Sequence, residues 1–332
     1  NTLRISKPEY DLKSEYQQRL DQMPDSSEYQ YLYGRILDDD RQQAIEWFTK
    51  SIEGSSPCGY GYYALGFDAM MIADFKAALS WYEQALKTEP DNPFFCDYYC
   101  EMLIADNQPQ KACDFCSERM LKDANDYTWM QERAALLYGL SRGDQADQLF
   151  EQWCRQNKDV YSEEDFQILQ RGIQLNRVYQ DGDVDAIRQF VGEPNMLDEQ
   201  VMFALHSGQP ISDELMARSD AFPPMWKLLF YISEHRLGNE DNANLFLSEA
   251  VKQLKAGTYD QRYAAGCLCD EQPIDEQKVC CLGMDVPLKA VTLVAMGIKY
   301  PEHREAFFDL AKQLNYKKTF PYHYLKSIYN ES

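Results

Sequence analysis

The sequence predicts an all-α protein, a solenoid of stacked helix hairpins. Three observations carry this reading. Apolar residues recur at helical spacing in segments of helix length, and no stretch alternates as a strand would. Asp, Asn, Gly and Pro punctuate those segments where helices start and stop. Ala44, Ala78, Ala112 and Ala146 stand one 34-residue step apart. A generic amphipathic helix does not keep a small residue at a fixed long period.

The hairpin at residues 59–92 shows the pattern most fully. Tyr62, Leu65, Gly66 and Ala69 share one face of a first helix. Asp74 is placed to cap a second helix carrying Phe75, Ala78, Tyr82, Ala85 and Leu86. Pro90 ends it, and Asn92-Pro93 supplies an N-cap and first-turn proline for the next. Gly66 and Ala78 are small where two antiparallel helices cross, and the rings of Tyr62 and Tyr82 fill the space beside them.

Neighbouring segments repeat this register. Residues 93–126 put Met120 on the position of Leu86, with Cys96, Cys100 and Cys116 at core positions. Residues 127–160 put Ala134 on Gly66 and Phe150 on Tyr82. Residues 25–58 put Phe48 on Tyr82 and Ile52 on Leu86, but Gly34 lies two residues out of phase and Asp38-Asp39-Asp40 makes a tighter turn. The string Leu65-Gly66, Phe75, Ala78, Tyr82, Ala85-Leu86, Pro90 resembles the tetratricopeptide repeat (TPR) family along its 34-residue period, with Ala73 where the family usually has Gly. The first hairpin also resembles the shorter-turn Sel1-like relatives. The resemblance implies a right-handed α-solenoid.

Three regions follow: a helical lead-in at 1–24, four TPR-like repeats at 25–160, and degenerate repeats with a C-terminal helical cap at 161–332. In the last, Ser162–Gln180 reads as a helix, and Gly182-Asp183-Val184-Asp185-Ala186 resembles Gly143-Asp144-Gln145-Ala146. Met225–Leu237 with Asn242–Leu254 reads as a hairpin, Gly257–Pro273 as a segment with a loop, Pro287–Lys299 with Glu302–Leu314 as a closing pair, and Phe320–Tyr329 as a final helix. About seven hairpins fit the length.

In the TPR family, peptides usually lie along the inner face, on first-helix residues outside the core. By register those positions are Tyr60, Tyr63, Phe67, Met70 and Met71, then Phe94, Asp97, Tyr98 and Glu101, flanked by Tyr31, Arg35, Gln131 and Tyr138. The resemblance implies a partner segment with apolar or aromatic side chains, and Asp97 and Glu101 would select a basic residue. The competing reading is that these side chains pack on neighbouring repeats. Chaperone-tail clamps of the family hold carboxylates with Lys, Asn and Arg. Here Tyr63, Phe67, Tyr98 and Glu101 occupy those positions, with Phe94 nearby, so no such clamp is expected.

Composition narrows the function further. The net charge of −21 argues against a nucleic-acid partner, which needs a basic surface. Residues 286–332 are the exception, with 7 Lys/Arg against 4 Asp/Glu. No apolar run is long enough to span a membrane and no secretory leader is visible. Ten Cys, several at helical core positions, point to free thiols and a cytoplasmic location, with a removed leader or anchor still compatible because the chain starts at Asn1.

Cys96-x3-Cys100 with Cys113-x2-Cys116 has zinc-like spacing, but three of the four sit where TPR cores take other packed side chains, so no metal is expected. Cys267, Cys269, Cys280 and Cys281 match zinc motifs poorly and read as buried thiols, or as a disulfide in an exported chain. His206, His235, His303 and His323 lack i, i+4 His partners. There is no phosphate loop, Gly-x-Ser-x-Gly elbow or His-Glu-x-x-His helix. The expectation is a non-catalytic interaction scaffold or adaptor without cofactor. The alternatives are a structural or oligomerisation arm, or a metal-dependent regulator using the cysteine clusters.

Overall fold

The computed structural model describes residues 11–37, 40–181, 222–314 and 322–330, with isolated positions between 204 and 218. Every regular element among them is helical. The chain divides into two compact units, residues 1–102 and 103–332. The first contains α1 (Leu12–Gln22), α2 (Ser27–Gly34), α3 (Arg41–Glu53), α4 (Gly59–Met71) and α5 (Phe75–Thr88), each packed on the next. The unit boundary falls within α6 (Pro93–Ala105).

In the second unit, α7 (Pro109–Lys122) packs on α8 (Tyr127–Gly139), which also contacts α9 (Gly143–Asn157) and α10 (Glu163–Asp181). Further along, α11 (Pro224–Arg236) pairs with α12 (Glu240–Lys255), and α12 with α13 (Tyr259–Leu268). After the short α14 (Glu276–Cys280), α15 (Val286–Lys299) pairs with α16 (Arg304–Leu314), and α17 (Tyr322–Asn330) packs on α16.

Local chemistry starts and stops these helices as the sequence suggests. The Asp74 carboxylate accepts from the Ala77 N–H at 3.1 Å. The Asn92 side-chain oxygen accepts from the Phe94 N–H at 3.1 Å, and α6 begins at Pro93. Both satisfy N–H groups that a helix leaves orphaned at its first turn.

The turns between paired helices keep the same 34-residue step as the alanines. Ala73, Asn107 and Ser141 are each left-handed, with φ of 59°, 57° and 59°, and they stand 34 residues apart. Each donates its N–H to the carbonyl three residues back, at 3.0, 3.0 and 2.9 Å. The residue after each donates to the carbonyl five back: Asp74 to Ala69, Gln108 to Leu103 and Arg142 to Leu137. This double bond pattern closes the last turn of a helix and reverses the chain. It recurs at Gly238 and Asp270, after α11 and α13. The second unit therefore reuses the turn where the sequence period has faded.

The helix crossings are equally specific. A Cβ on Gly66 would lie 2.9 Å from the ring of Tyr82, so α4 and α5 approach only because that position has no side chain. Gly34 does the same against Phe48, where a Cβ would lie 2.7 Å from the ring. Gly34 thus keeps the crossing despite its two-residue phase slip. Gly297 against Phe308 repeats the contact between α15 and α16. The four alanines at the 34-residue step, Ala44, Ala78, Ala112 and Ala146, are all buried.

The expected hairpin at 225–254 corresponds to α11 and α12, the closing pair to α15 and α16, and the final helix to α17. The loop expected within Gly257–Pro273 lies at residues 269–273, and the part before it is the helix α13. Its start is a capping box: the Thr258 hydroxyl accepts from the Gln261 N–H, and the Gln261 side chain accepts from the Thr258 N–H. The expected likeness at 182–186 lies outside the described residues.

A left-handed residue with a Cβ costs roughly 1 kcal/mol or more. Ala73→Gly and Ser141→Gly should each stabilise the chain by about 0.5–1 kcal/mol, while Gly66→Val should destabilise it by about 1–3 kcal/mol through overpacking on Tyr82. Denaturant midpoints of the three variants check this. A neutral Gly66→Val would remove the close crossing as a constraint.

Candidate functional site

In the first unit the inner-face register is a run of aromatic rings. Tyr31 meets Tyr60 with centroids 5.7 Å apart, and Tyr60 meets Tyr63 at 6.3 Å. Tyr63 meets Tyr98 edge-on at 5.1 Å, and Tyr98 meets Phe67 at 6.3 Å. Phe95 packs beside Tyr60 and Tyr63, and Tyr82 contacts Tyr63 and Tyr98 from the core side. Edge-on and offset contacts at these separations are favourable beyond their buried area. The rings are therefore largely spent on each other.

The thirteen expected contact residues divide accordingly. The structure brings Tyr31, Tyr60, Tyr63, Phe67 and Tyr98 together in that run. Met70 and Met71 are buried at 0% and 2% exposure and offer no surface. Phe94, Asp97 and Arg35 are exposed, and Glu101 is half-buried. The Arg35 guanidinium donates to the Tyr31 hydroxyl at 2.8 Å, which helps fix that ring. In the second unit, Gln131 and Tyr138 are half-buried, and the Tyr138 hydroxyl donates to the Asp147 carboxylate.

At one end of the ring run a cleft of about 1050 Å³ opens. Its walls include Tyr31 and Tyr60 from the run, together with Met23, Pro24 and Pro57. Three carboxylates join them: Asp25 and Glu28 at the start of α2, and Glu89 just past the end of α5. No Lys or Arg stands among the described lining residues. Carboxylates gathered in a partly walled space give it a negative field.

Helix ends build this cleft, for local reasons. Ser26 caps α2, its hydroxyl accepting from the Tyr29 N–H at 3.4 Å. Cys58 precedes α4 without a side-chain cap, and burial pushes its thiol above the usual cysteine value. A Cβ on Gly59 would lie 2.3 Å from the Thr88 hydroxyl and 3.0 Å from the Phe95 ring, so the start of α4 abuts the end of α5. The Asn92 amide donates to the Tyr60 hydroxyl at 3.2 Å and to Glu89 at 2.9 Å, tying the ring to the acidic wall.

Sequence reasoning missed Asp25, Glu28, Cys58 and Glu89, because register arguments follow helix faces whereas these residues sit at helix ends. The acids flanking Ser26, Asp25 one residue before it and Glu28 two after, were the available signal.

All ten cysteines are free. Cys96, Cys100, Cys113 and Cys116 are buried, as are Cys267 and its neighbours in α13. Among the described residues no group of three or more His, Cys, Asp or Glu is placed to hold a metal ion. No helix among them is long and apolar enough to cross a membrane. No known protein family's sequence profile matches the chain, and no curated protein matches it.

Burial raises the Tyr63 and Tyr82 phenols above the ordinary value near 10, with Tyr98 adding to both shifts, Tyr31 to that of Tyr63, and Tyr63 to that of Tyr82. A phenol that holds its proton more tightly when folded stabilises the fold fully below pH 10 and loses that contribution as the pH climbs past it. Titrating phenolate absorbance alongside helical circular dichroism should show these tyrosines ionising only as helix is lost. Ionisation near pH 10 with helicity intact would contradict the ring packing.

Proposed function

We propose that the chain is a non-catalytic interaction module, a TPR-like stack of hairpins that holds a partner protein segment in the acidic, aromatic cleft of its first unit. The observation that carries this reading is the cleft itself. It pairs two tyrosine rings with three carboxylates and no lining cation among the described residues. That combination suits a Lys or Arg side chain, whose charge meets the carboxylates and whose stem or guanidinium lies on a ring. Apolar neighbours of that residue would rest on Met23, Pro24 and Pro57.

The repeated turn and the small-against-ring crossing support the TPR likeness, although fold does not fix function. The reading moves the contact surface from the centre of the inner face to one end of it. Tyr63, Phe67 and Tyr98 then act as the rigid backing that orients Tyr60, while Met70 and Met71 are core. Asp97 and Glu101 lie farther along the same register and would meet a second basic residue of a longer segment. Ten free thiols support a reducing, cytoplasmic setting.

Short peptides carrying one Lys or Arg between apolar residues are the probe, with norleucine or citrulline in its place as the neutral control. Calorimetry should show saturable binding of the charged peptides, weakened about tenfold in the Glu28→Gln/Glu89→Gln double variant. Raised salt should weaken it as well. Equal binding of charged and neutral peptides, or a double variant that binds like the parent, would remove the cleft as the contact site.

A further inference from the structure

The acidic cleft of the first unit begins where α1 ends. Met23, Pro24 and Asp25 directly follow α1 and line the cleft, and Met23 is 55% exposed. At its other end α1 is preceded by Asp11 and, before that, by residues 1–10, which lie outside the described residues. They belong to the same unit as the cleft. Within them the chain reads Leu3-Arg4-Ile5-Ser6-Lys7.

Charge and covalent reach both fit this stretch to the cleft. Arg4 stands between two large apolar residues, the pattern that the cleft's carboxylates and apolar walls suit. Asp25, Glu28 and Glu89 line the space, with no Lys or Arg among the described lining residues to neutralise them. Helix α1 is about 16 Å long at the rise of an α-helix. Arg4 lies seven residues before Asp11, and seven extended residues span up to about 23 Å. A segment turned back along α1 therefore carries Arg4 as far as Met23, and its long side chain reaches beyond. A ligand tethered this closely acts at an effective concentration on the order of millimolar, so modest contacts suffice to fill the site.

We propose that the chain's own Leu3-Arg4-Ile5 stretch occupies the acidic cleft, with the Arg4 guanidinium among Asp25, Glu28 and Glu89. Leu3 and Ile5 rest on Met23, Pro24 and Pro57. The inference rests on the reading of the cleft as a site for one basic side chain between apolar neighbours. It adds a regulation to that site: a partner segment binds only by displacing the chain's own. The fraction of chains with a free cleft then scales the apparent affinity for the partner.

Two measurements on the full chain test this. In the first, the Lys- or Arg-bearing probe peptides are titrated into the parent and into Arg4→Gln. The variant should bind them about fivefold or more tighter. Lys13→Gln makes the same change of charge on α1 and should bind as the parent does. The second needs no added peptide. Arg4→Lys keeps the charge and offers an amine to a zero-length carbodiimide crosslinker. Peptide mapping should place that amine on Asp25, Glu28 or Glu89 in a product of monomer mass. Probe peptides that bind neither the parent nor Arg4→Gln would count against the cleft as a partner site, and the crosslink would still decide whether the segment docks there. The proposal is overturned if the probes bind parent and Arg4→Gln alike, or if Lys13→Gln gives the same gain. It is also overturned if the amine is found only on other carboxylates or on none. A crosslink found only between two chains overturns it as well and assigns the cleft to a second copy's segment.

Discussion

The constraint on which the hairpins depend is the approach of two antiparallel helices at a position without a side chain. A ring on one helix occupies the space that a Cβ on the other would fill, as Tyr82 does over Gly66, Phe48 over Gly34 and Phe308 over Gly297. Interiors packed at crystal-like density leave such a contact no slack. It sets the distance between the two helices of a pair, and the left-handed turn sets where along its length the second helix begins. The buried alanines at the 34-residue step keep the same approach open from the other side. With distance and phase fixed, the remaining aromatic positions of the first unit have one arrangement in which to meet. The ring run and the cleft at its end follow from that.

The second unit manages its interior differently. Its helices bury charge as well as hydrocarbon. The Glu234 carboxylate accepts from the Ile211 N–H at 2.8 Å and from the Asn239 and Asn242 side chains at 2.9 and 3.3 Å. Lys227 faces Glu249 at 3.1 Å, and Lys289 donates to the Cys280 carbonyl at 2.8 Å. Buried charges demand satisfied partners and tolerate few alternative packings, so such groups select one arrangement more than they add stability. Glu234 illustrates this, since its main-chain carbonyl closes the turn at Gly238 while its carboxylate holds the segment at Ile211. A shift of α11 relative to Ile211 would break the second contact.

Particular residues mark how much of this was legible in the sequence. Asp74, Asn92 and Pro93 announce helix starts through chemistry that is local to one turn, so sequence alone finds them. The alanine and ring positions are legible because a crossing needs a fixed size at a fixed step. The left-handed turns at Ala73 and Ser141 are not, since neither residue type favours that conformation and tertiary closure imposes it. Helix α13 was hidden by its neighbours Gly257 and Pro273, although the Thr258–Gln261 capping box lay in plain view. The cleft was illegible for a third reason. Its carboxylates come from two helix ends far apart in sequence, and no register joins them.

One consequence of the turn reaches beyond stability. Ala73, Asn107, Ser141, Gly238 and Asp270 share a single backbone shape while being five different residue types. The instruction to reverse direction is thus written in main-chain amides and carbonyls, which every residue but proline supplies in full. Substitutions can pass through these positions with little effect on the path of the chain. Relatives of this protein should therefore share its bond pattern long after they have ceased to share its letters, and a comparison of carbonyl partners would group them where a comparison of residues does not.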